Sequence, residues 1–304
     1  MTTIQHDKKI AQVISLFKSK NYIKAEKLYS KIKRKDNYCR VLGANLYFKL
    51  ENYVIALSNL AQVDRSILEG TVCKKLLLIE VKCLKMTGQL ERAKTLLKKE
   101  VDKDSSFSNA KFVSELAKIN LILKCYLEVN ALAPKMLGWD QYFYLGHMLL
   151  IETAAKLGDR ELLKKRVLAV KPHFKGLVDD SFLKIAHFYI NLSMFDDAKD
   201  FIGWYESANG NVYNYVGVKA KLLFEQGNYS ETLRLLDSRD ENKMHYLKGK
   251  TYEKLGQFDD AFECFTAGAQ RRQAELKGNV PIDKVAQYKF VIPKLNIDNY
   301  SNFE

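Results

Sequence analysis

The chain has 304 residues, of which 47% are hydrophobic and 12% aromatic, while glycine and proline number only 15 and 4. This composition excludes a disordered chain and argues against an all-β sandwich or barrel, which needs a turn about every ten residues. The formal net charge is +13, and residues 1–100 hold 21 of the basic and 9 of the acidic side chains. Such a charge is typical of proteins that bind nucleic acid, acidic proteins or anionic membranes.

The sequence predicts a cytoplasmic protein without membrane insertion. The N-terminus lacks the apolar core of a signal peptide, and the longest uncharged apolar run, residues 141–151, is too short to span a bilayer. Five scattered cysteines without CxxC spacing are typical of reduced thiols: Cys39, Cys73, Cys83, Cys125 and Cys264.

A sequence motif of about ten residues recurs along the chain. An aromatic or large apolar anchor is followed by a small residue three positions later and a large apolar residue four positions beyond that. The clear anchors are Tyr22, Tyr53, Leu90, Phe195, Tyr229 and Phe258, and weaker copies occur at Tyr126 and Arg160. The anchors lie 29 to 37 residues apart and about 34 on average.

Each copy of the motif predicts a helical hairpin whose second helix starts at the anchor. Gly88, Gly158, Gly227 and Gly256 lie two residues before their anchors, where a chain leaving a helix favours a left-handed conformation. The small residue, such as Ala25 or Ala93, lets two helices approach closely. Pro134 falls inside one predicted second helix, where it is expected to break the helix or cost about 3 kcal/mol.

The 34-residue hairpin resembles the tetratricopeptide repeat (TPR) family. The clearest copy spans residues 246–265, and Gly249, Ala220, Ala186, Ala117 and Ala44 match the small residue of the family's first helix. The resemblance implies an all-α fold, a right-handed α-solenoid of about eight hairpins with a C-terminal capping helix. The predicted domains are a tail at 1–6, the solenoid at 7–268, and a capping helix with a tail at 269–304, the helix opening at Pro281.

Catalytic and cofactor signatures are missing from the sequence. No GxxxxGK[ST], GxGxxG, GxSxG or HExxH pattern occurs, and the histidines have no second ligand at helical spacing. We therefore expect no enzyme activity, no metal and no cofactor.

In TPR proteins the first helix of each repeat lines a concave groove, with inward positions 15, 12, 8 and 5 residues before the anchor. The resemblance places five lysines and no acid at these positions in the third and fourth repeats, with an asparagine in the second. The predicted partner-binding residues are Asn45, Lys75, Lys82, Lys85, Lys111 and Lys118.

A non-enzymatic scaffold that binds a protein or peptide with an acidic segment is the leading hypothesis. RNA is an alternative partner, although lysines and aromatics do not interleave along the groove as base stacking needs. Residues 261–272 also resemble the last repeat before the catalytic domain of bacterial TPR-linked sulfotransferases, so an accessory region of such an enzyme is a third possibility.

Overall fold

The computed structural model of the chain describes residues 3–33, 35–103, 110–174, 183–209, 215–237 and 242–279. The chain divides into two compact units, residues 1–157 and residues 158–304. Over the described ranges the secondary structure is helical, with sixteen α-helices, two short 3-10 helices and no strand. The predicted all-α fold of about eight helical hairpins is confirmed.

The helices follow one another in pairs. In the first unit they are α1 (Thr3–Lys18), α2 (Tyr22–Tyr29), α3 (Asn37–Lys49), α4 (Tyr53–Ala61), α5 (Gly70–Met86), α6 (Leu90–Val101), α7 (Ala110–Ile122), α8 (Tyr126–Met136) and α9 (Phe143–Lys156). In the second unit they are α10 (Arg160–Val170), α11 (Leu183–Asn191), α12 (Phe195–Asn209), α13 (Tyr215–Glu225), α14 (Tyr229–Asp237), α15 (Asn242–Lys254) and α16 (Phe258–Asn279). The 3-10 helices are Asp140–Tyr142 and Lys171–Phe174.

Every predicted anchor is the first residue of a second helix, including Tyr126 and Arg160 in the two weaker copies. Tyr22 packs on Phe17 with ring centroids 5.4 Å apart, and Tyr229 packs on Phe224 at 5.6 Å. In these hairpins the aromatic anchor therefore packs on a ring in the last turn of the preceding helix, whereas the anchor Phe258 is 69% exposed. Arg160 has no such ring, and its helix begins instead at an N-cap, where Leu162 N–H donates to the Asp159 carboxylate.

The turn between the two helices of a hairpin has three residues, and its middle residue is left-handed. The four predicted glycines have φ of 72° to 80°, and four other residues adopt the same conformation with φ of 56° to 59°: Lys20, Glu51, Lys124 and Ser193. The next residue closes the turn, as where Asn52 N–H donates to the Tyr47 carbonyl at 2.9 Å. This is the Schellman arrangement of a helix C-terminus.

We expect Glu51→Gly to stabilise the first unit by about 0.5–1 kcal/mol, because glycine avoids the steric penalty that a Cβ atom meets at positive φ. Gly88→Ala should destabilise it by about 1 kcal/mol for the same reason. Urea unfolding followed by far-UV circular dichroism measures both changes. Shifts of the same sign in the two variants would contradict this account of the turn.

The residue three positions after the anchor is buried in every hairpin. The set comprises Ala25, Ala56, Ala93, Val129, Leu163, Ala198, Thr232 and Ala261. Val129 and Leu163 replace the predicted alanine and are nevertheless completely buried, so these two hairpins accept a larger side chain at the same point of contact.

Three predictions, about a helix break, the domain boundaries and the capping helix, are either corrected by the structure or concern residues outside the described ranges. Helix α8 runs through Pro134 to Met136, because the proline lies in the last turn and forfeits only one internal hydrogen bond. Helix α1 begins at Thr3, inside the predicted tail, and α16 continues past residue 268 to Asn279. The predicted capping helix from Pro281 and the tail after it lie outside the described residues, and the proposed domain limits remain a prediction.

Candidate functional site

The candidate site is a set of six predicted residues on the first helices α3, α5 and α7 of the first unit, which we call the lysine face. It consists of the predicted residues Asn45, Lys75, Lys82, Lys85, Lys111 and Lys118. Lys75 and Lys82 are exposed on α5, and Lys111 is exposed in the first turn of α7. The other three are half-buried.

Glu115 corrects the prediction that no acid lies among these lysines. Its carboxylate accepts hydrogen bonds from Lys85 Nζ and from Lys118 Nζ, both at 3.0 Å. Burial would raise the pKa of Glu115, but the two ammonium groups outweigh it and hold that pKa below its usual range. Lys85 and Lys118 therefore form an ion-paired bridge between α5 and α7 rather than two free cations.

The sequence pattern missed Glu115 because this residue lies one position after an expected inward position of α7. Ser114, at that inward position, is only 1% exposed and donates through Oγ to the Lys111 carbonyl at 2.9 Å. The spacing of Glu115 and Lys118, three residues apart on one helix, was the sequence signal that pointed to half of the bridge.

Phe48 joins α3 to the lysine face. Lys82 Nζ lies 5.2 Å from the centre of the Phe48 ring, which is a cation–π distance. The same ring packs edge-on against the anchor Tyr53 with centroids 6.2 Å apart. Lys82 is thus placed by an aromatic side chain of the neighbouring hairpin, and its ammonium group still reaches solvent.

Asn45 is the member of the lysine face on α3, and Tyr38 lies seven residues before it on the same helix. Asn45 Nδ2 donates to the Val41 carbonyl at 2.8 Å, so one amide hydrogen is used within its own helix. Tyr38, at one of the expected groove positions, is 58% exposed. The α3 side is therefore less charged than the α5 side and offers an exposed aromatic ring.

The remaining lysines of the face differ from Lys85 and Lys118. Lys75, Lys82 and Lys111 form no ion pair with any residue that the structure describes. The second carboxylate on these two helices, Glu80 of α5, is already ion-paired with Arg65. Among the described residues, the face therefore has three lysines without an ion pair, whereas the carboxylates of α5 and α7 are both paired.

Two lysines on second helices are ion-paired with the next second helix. Lys94 of α6 lies 3.5 Å from the Glu128 carboxylate of α8, and Lys164 of α10 lies 3.0 Å from the Asp197 carboxylate of α12. In both cases an acid of the following second helix compensates the lysine. Other lysines of second helices, among them Lys24 and Lys99, form no ion pair with a described residue, so such lysines are not confined to the lysine face.

Elsewhere in the described ranges, no three histidine, cysteine, aspartate or glutamate side chains lie close enough together to hold a metal ion. His187 is half-buried on α11, and burial together with the nearby Lys221 lowers its pKa. The five cysteines are free thiols, and burial raises the pKa of Cys39 and Cys83 to about 11 each. No described helix has the length and apolar character that a membrane span needs.

The chain is similar to several solved structures, two of which are described as TPR proteins. A tetratricopeptide repeat protein from Parabacteroides merdae is 12% identical and aligns with a TM-score of 0.61, over 77% of this chain and 92% of that chain. The C-terminal part of a TPR repeat-containing protein from Cytophaga hutchinsonii, 16% identical over 74% of this chain and 98% of that chain, has a TM-score of 0.34. The Cut9–Hcn1 hetero-tetramer of APC/C, 12% identical over 88% of this chain and 66% of that chain, also has a TM-score of 0.34.

No protein-family model matches the chain, and no curated protein matches it. At 12% identity, the likeness to the Parabacteroides merdae protein shows the fold alone. The fold is the helical-hairpin repeat of TPR proteins.

Proposed function

We propose that the chain is a cytoplasmic, non-enzymatic scaffold whose lysine face binds an acidic segment of a partner protein. The observation that carries this proposal is the charge imbalance on α5 and α7. Lys75, Lys82 and Lys111 form no ion pair with a carboxylate of the described residues, whereas Glu80 and Glu115 are already ion-paired. An incoming carboxylate thus meets ammonium groups that no described acid neutralises.

Binding of an acid would benefit the protein in two ways. Like charges on neighbouring turns and helices repel one another, so a bound carboxylate relieves that repulsion. It also forms charge-assisted hydrogen bonds, which are stronger than those between neutral groups. Since exposed charges are screened within about 10 Å at 0.1 M salt, affinity should fall as salt rises.

Two alternatives are less well supported by the side chains. Binding of RNA needs exposed rings between the basic residues, but the Phe48 ring is half-buried beneath Lys82, which leaves Tyr38 at the edge of the face. The role as an accessory region of a sulfotransferase rests on the sequence of residues 261–272 alone. RNA binding is therefore one outcome of the binding test described below.

Charge reversal on the lysine face tests the proposal. Lys82→Glu combined with Lys111→Glu should weaken binding of a fluorescein-labelled glutamate-rich peptide by about tenfold or more, because two attractive contacts become repulsive. Fluorescence anisotropy at low and at physiological salt measures the affinity. Circular dichroism checks that the helical content is unchanged.

The matched control reverses two exposed lysines on second helices, Lys24 on α2 and Lys99 on α6, with the same change in net charge. This control should bind the peptide nearly as tightly as the wild type. Equal losses in both double variants would mean that net charge, not the lysine face, attracts the peptide. Tighter binding of a labelled oligouridylate than of the peptide would favour RNA as the partner.

A further inference from the structure

We infer that the partner segment is an α-helix that lies along α5 and α7 and carries carboxylates seven residues apart. This inference rests on the proposed function and adds the conformation of the ligand. It is carried by the spacing of the lysines, by the side chains between them, and by the ion-paired bridge that links the two helices.

The lysines occur in two pairs with one spacing. Lys75 and Lys82 are seven residues apart on α5, and Lys111 and Lys118 are seven residues apart on α7. Seven residues make two turns of a helix, so each pair lies on one helix side at a separation of about 10.5 Å. On α7 Lys118 is already bonded to Glu115, whereas on α5 neither lysine forms an ion pair with a described residue, so the repeat of about 10.5 Å is available to a ligand along α5.

A helical ligand matches this repeat and an extended ligand does not. Carboxylates at i and i+7 of a helix lie on one side, also about 10.5 Å apart. In an extended segment, side chains on one side recur every second residue, at about 6.7 Å and then about 13 Å. An extended acidic peptide could thus place a carboxylate at one lysine of a pair, but not at both lysines of that pair at the same time.

The surface between the lysines of α5 is apolar. Leu78 lies three residues after Lys75 and four before Lys82, and it is half-buried at the surface of the helix. A ligand helix with acids at i and i+7 has i+3 and i+4 on the same side, so an apolar residue there would contact Leu78. The chemistry expected of the partner is an amphipathic acidic helix with an apolar residue between two carboxylates.

The bridge of Lys85, Glu115 and Lys118 links α5 to α7. Glu115 bonds one lysine from each helix at 3.0 Å, close to one end of the face. These hydrogen bonds order the Lys85 and Lys118 side chains before a ligand arrives. Less ordering is then needed on binding, which favours a ligand that is itself rigid.

Two labelled peptides of identical composition test the inference on the full chain. Both are alanine-rich helices; the matched peptide has glutamates at i and i+7 with leucine at i+3, and the permuted peptide has the same residues distributed around the helix. We expect the matched peptide to bind about fivefold more tightly. A third peptide, with the matched sequence interrupted by a central proline, should lose this advantage because it cannot stay helical.

Variants of the protein show whether the preference arises on α5. Lys75→Ala should remove the difference between matched and permuted peptides, while Lys24→Ala on α2 should leave it unchanged. If matched, permuted and proline peptides bind equally, the ligand is not a helix of this spacing, but the lysine face still binds acids. If none of the three binds, or oligouridylate binds in their place, both the inference and the proposed function are wrong.

Discussion

Replacing Tyr29 with alanine is expected to lower the free energy of unfolding by about 3–5 kcal/mol, the usual loss for removing a buried aromatic ring. Tyr29 is the last residue of α2 and is completely buried against Cys39 and Tyr47 of α3. Its ring meets the Tyr47 ring edge-on with centroids 5.9 Å apart. The midpoint of urea unfolding, followed by circular dichroism, measures the change.

Tyr29→Phe separates the ring from its hydroxyl. The hydroxyl lies 3.1 Å from the Cys39 carbonyl and 2.9 Å from Asn59 Oδ1 of α4, so it links three helices. Its loss should cost only about 1 kcal/mol, because the ring still fills the same space. A loss as large as that of the alanine variant would show that the hydroxyl, and not the ring, holds these helices together.

The two variants also predict a pH effect. Burial raises the pKa of Tyr29, so the folded protein keeps the hydroxyl protonated where the unfolded chain loses its proton. The contribution of this group to stability is present below about pH 10 and declines as the pH rises above that value. Tyr29→Phe should therefore lose less stability than the wild type between neutral and strongly alkaline pH.

Gly43→Ala is expected to destabilise the first unit by about 1–3 kcal/mol by overfilling the same contact. A Cβ atom at Gly43 of α3 would run into the Tyr29 hydroxyl and ring and would lie 2.8 Å from Asn59 Oδ1. The usual gain of about 1 kcal/mol for replacing glycine by alanine in a helix cannot offset this clash. Urea unfolding again measures the effect.

Gly70→Ala is the matched control, since a Cβ atom at this first residue of α5 would have no neighbour within 4 Å. It should leave stability unchanged or raise it slightly. If Gly43→Ala behaved like Gly70→Ala, the close approach of α3 to Tyr29 would not constrain position 43. Combining Gly43→Ala with Tyr29→Phe should recover part of the loss, because one of the clashing atoms is gone.

The helical hairpins could be predicted from the sequence because their signals are local. Some anchors pack on a ring five residues earlier, as Tyr53 does on Phe48, and the turn before each anchor has three residues with a left-handed centre. Even Arg160, which breaks the anchor pattern, starts its helix at the predicted residue because Gly158 and Asp159 supply the turn and the cap. These interactions join residues that are close in the chain, so the pattern of residue types is sufficient to find them.

The charges of the lysine face were decided by contacts between hairpins. Glu115 lies thirty residues from Lys85, and only the packing of α7 beside α5 makes them an ion pair. Likewise, the ammonium group of Lys82 on α5 contacts the Phe48 ring of α3. Ser114 is buried, although the repeat pattern predicted that it faces the groove. A repeat pattern gives each residue an average direction, whereas the exact rotation of each helix follows from the side chains that it packs against.

The turns show the same division in the backbone. Glycine at position 88 indicates a left-handed residue from the sequence alone. Four residues that are not glycine adopt the same conformation: Lys20, Glu51, Lys124 and Ser193. Their side chains disfavour it by about 1–2 kcal/mol, and the packing of both flanking helices outweighs that cost. Local sequence thus determined the number, order and starting points of the hairpins, while tertiary packing decided which side chains are paired, buried or strained, because those outcomes depend on neighbours that are distant in the chain.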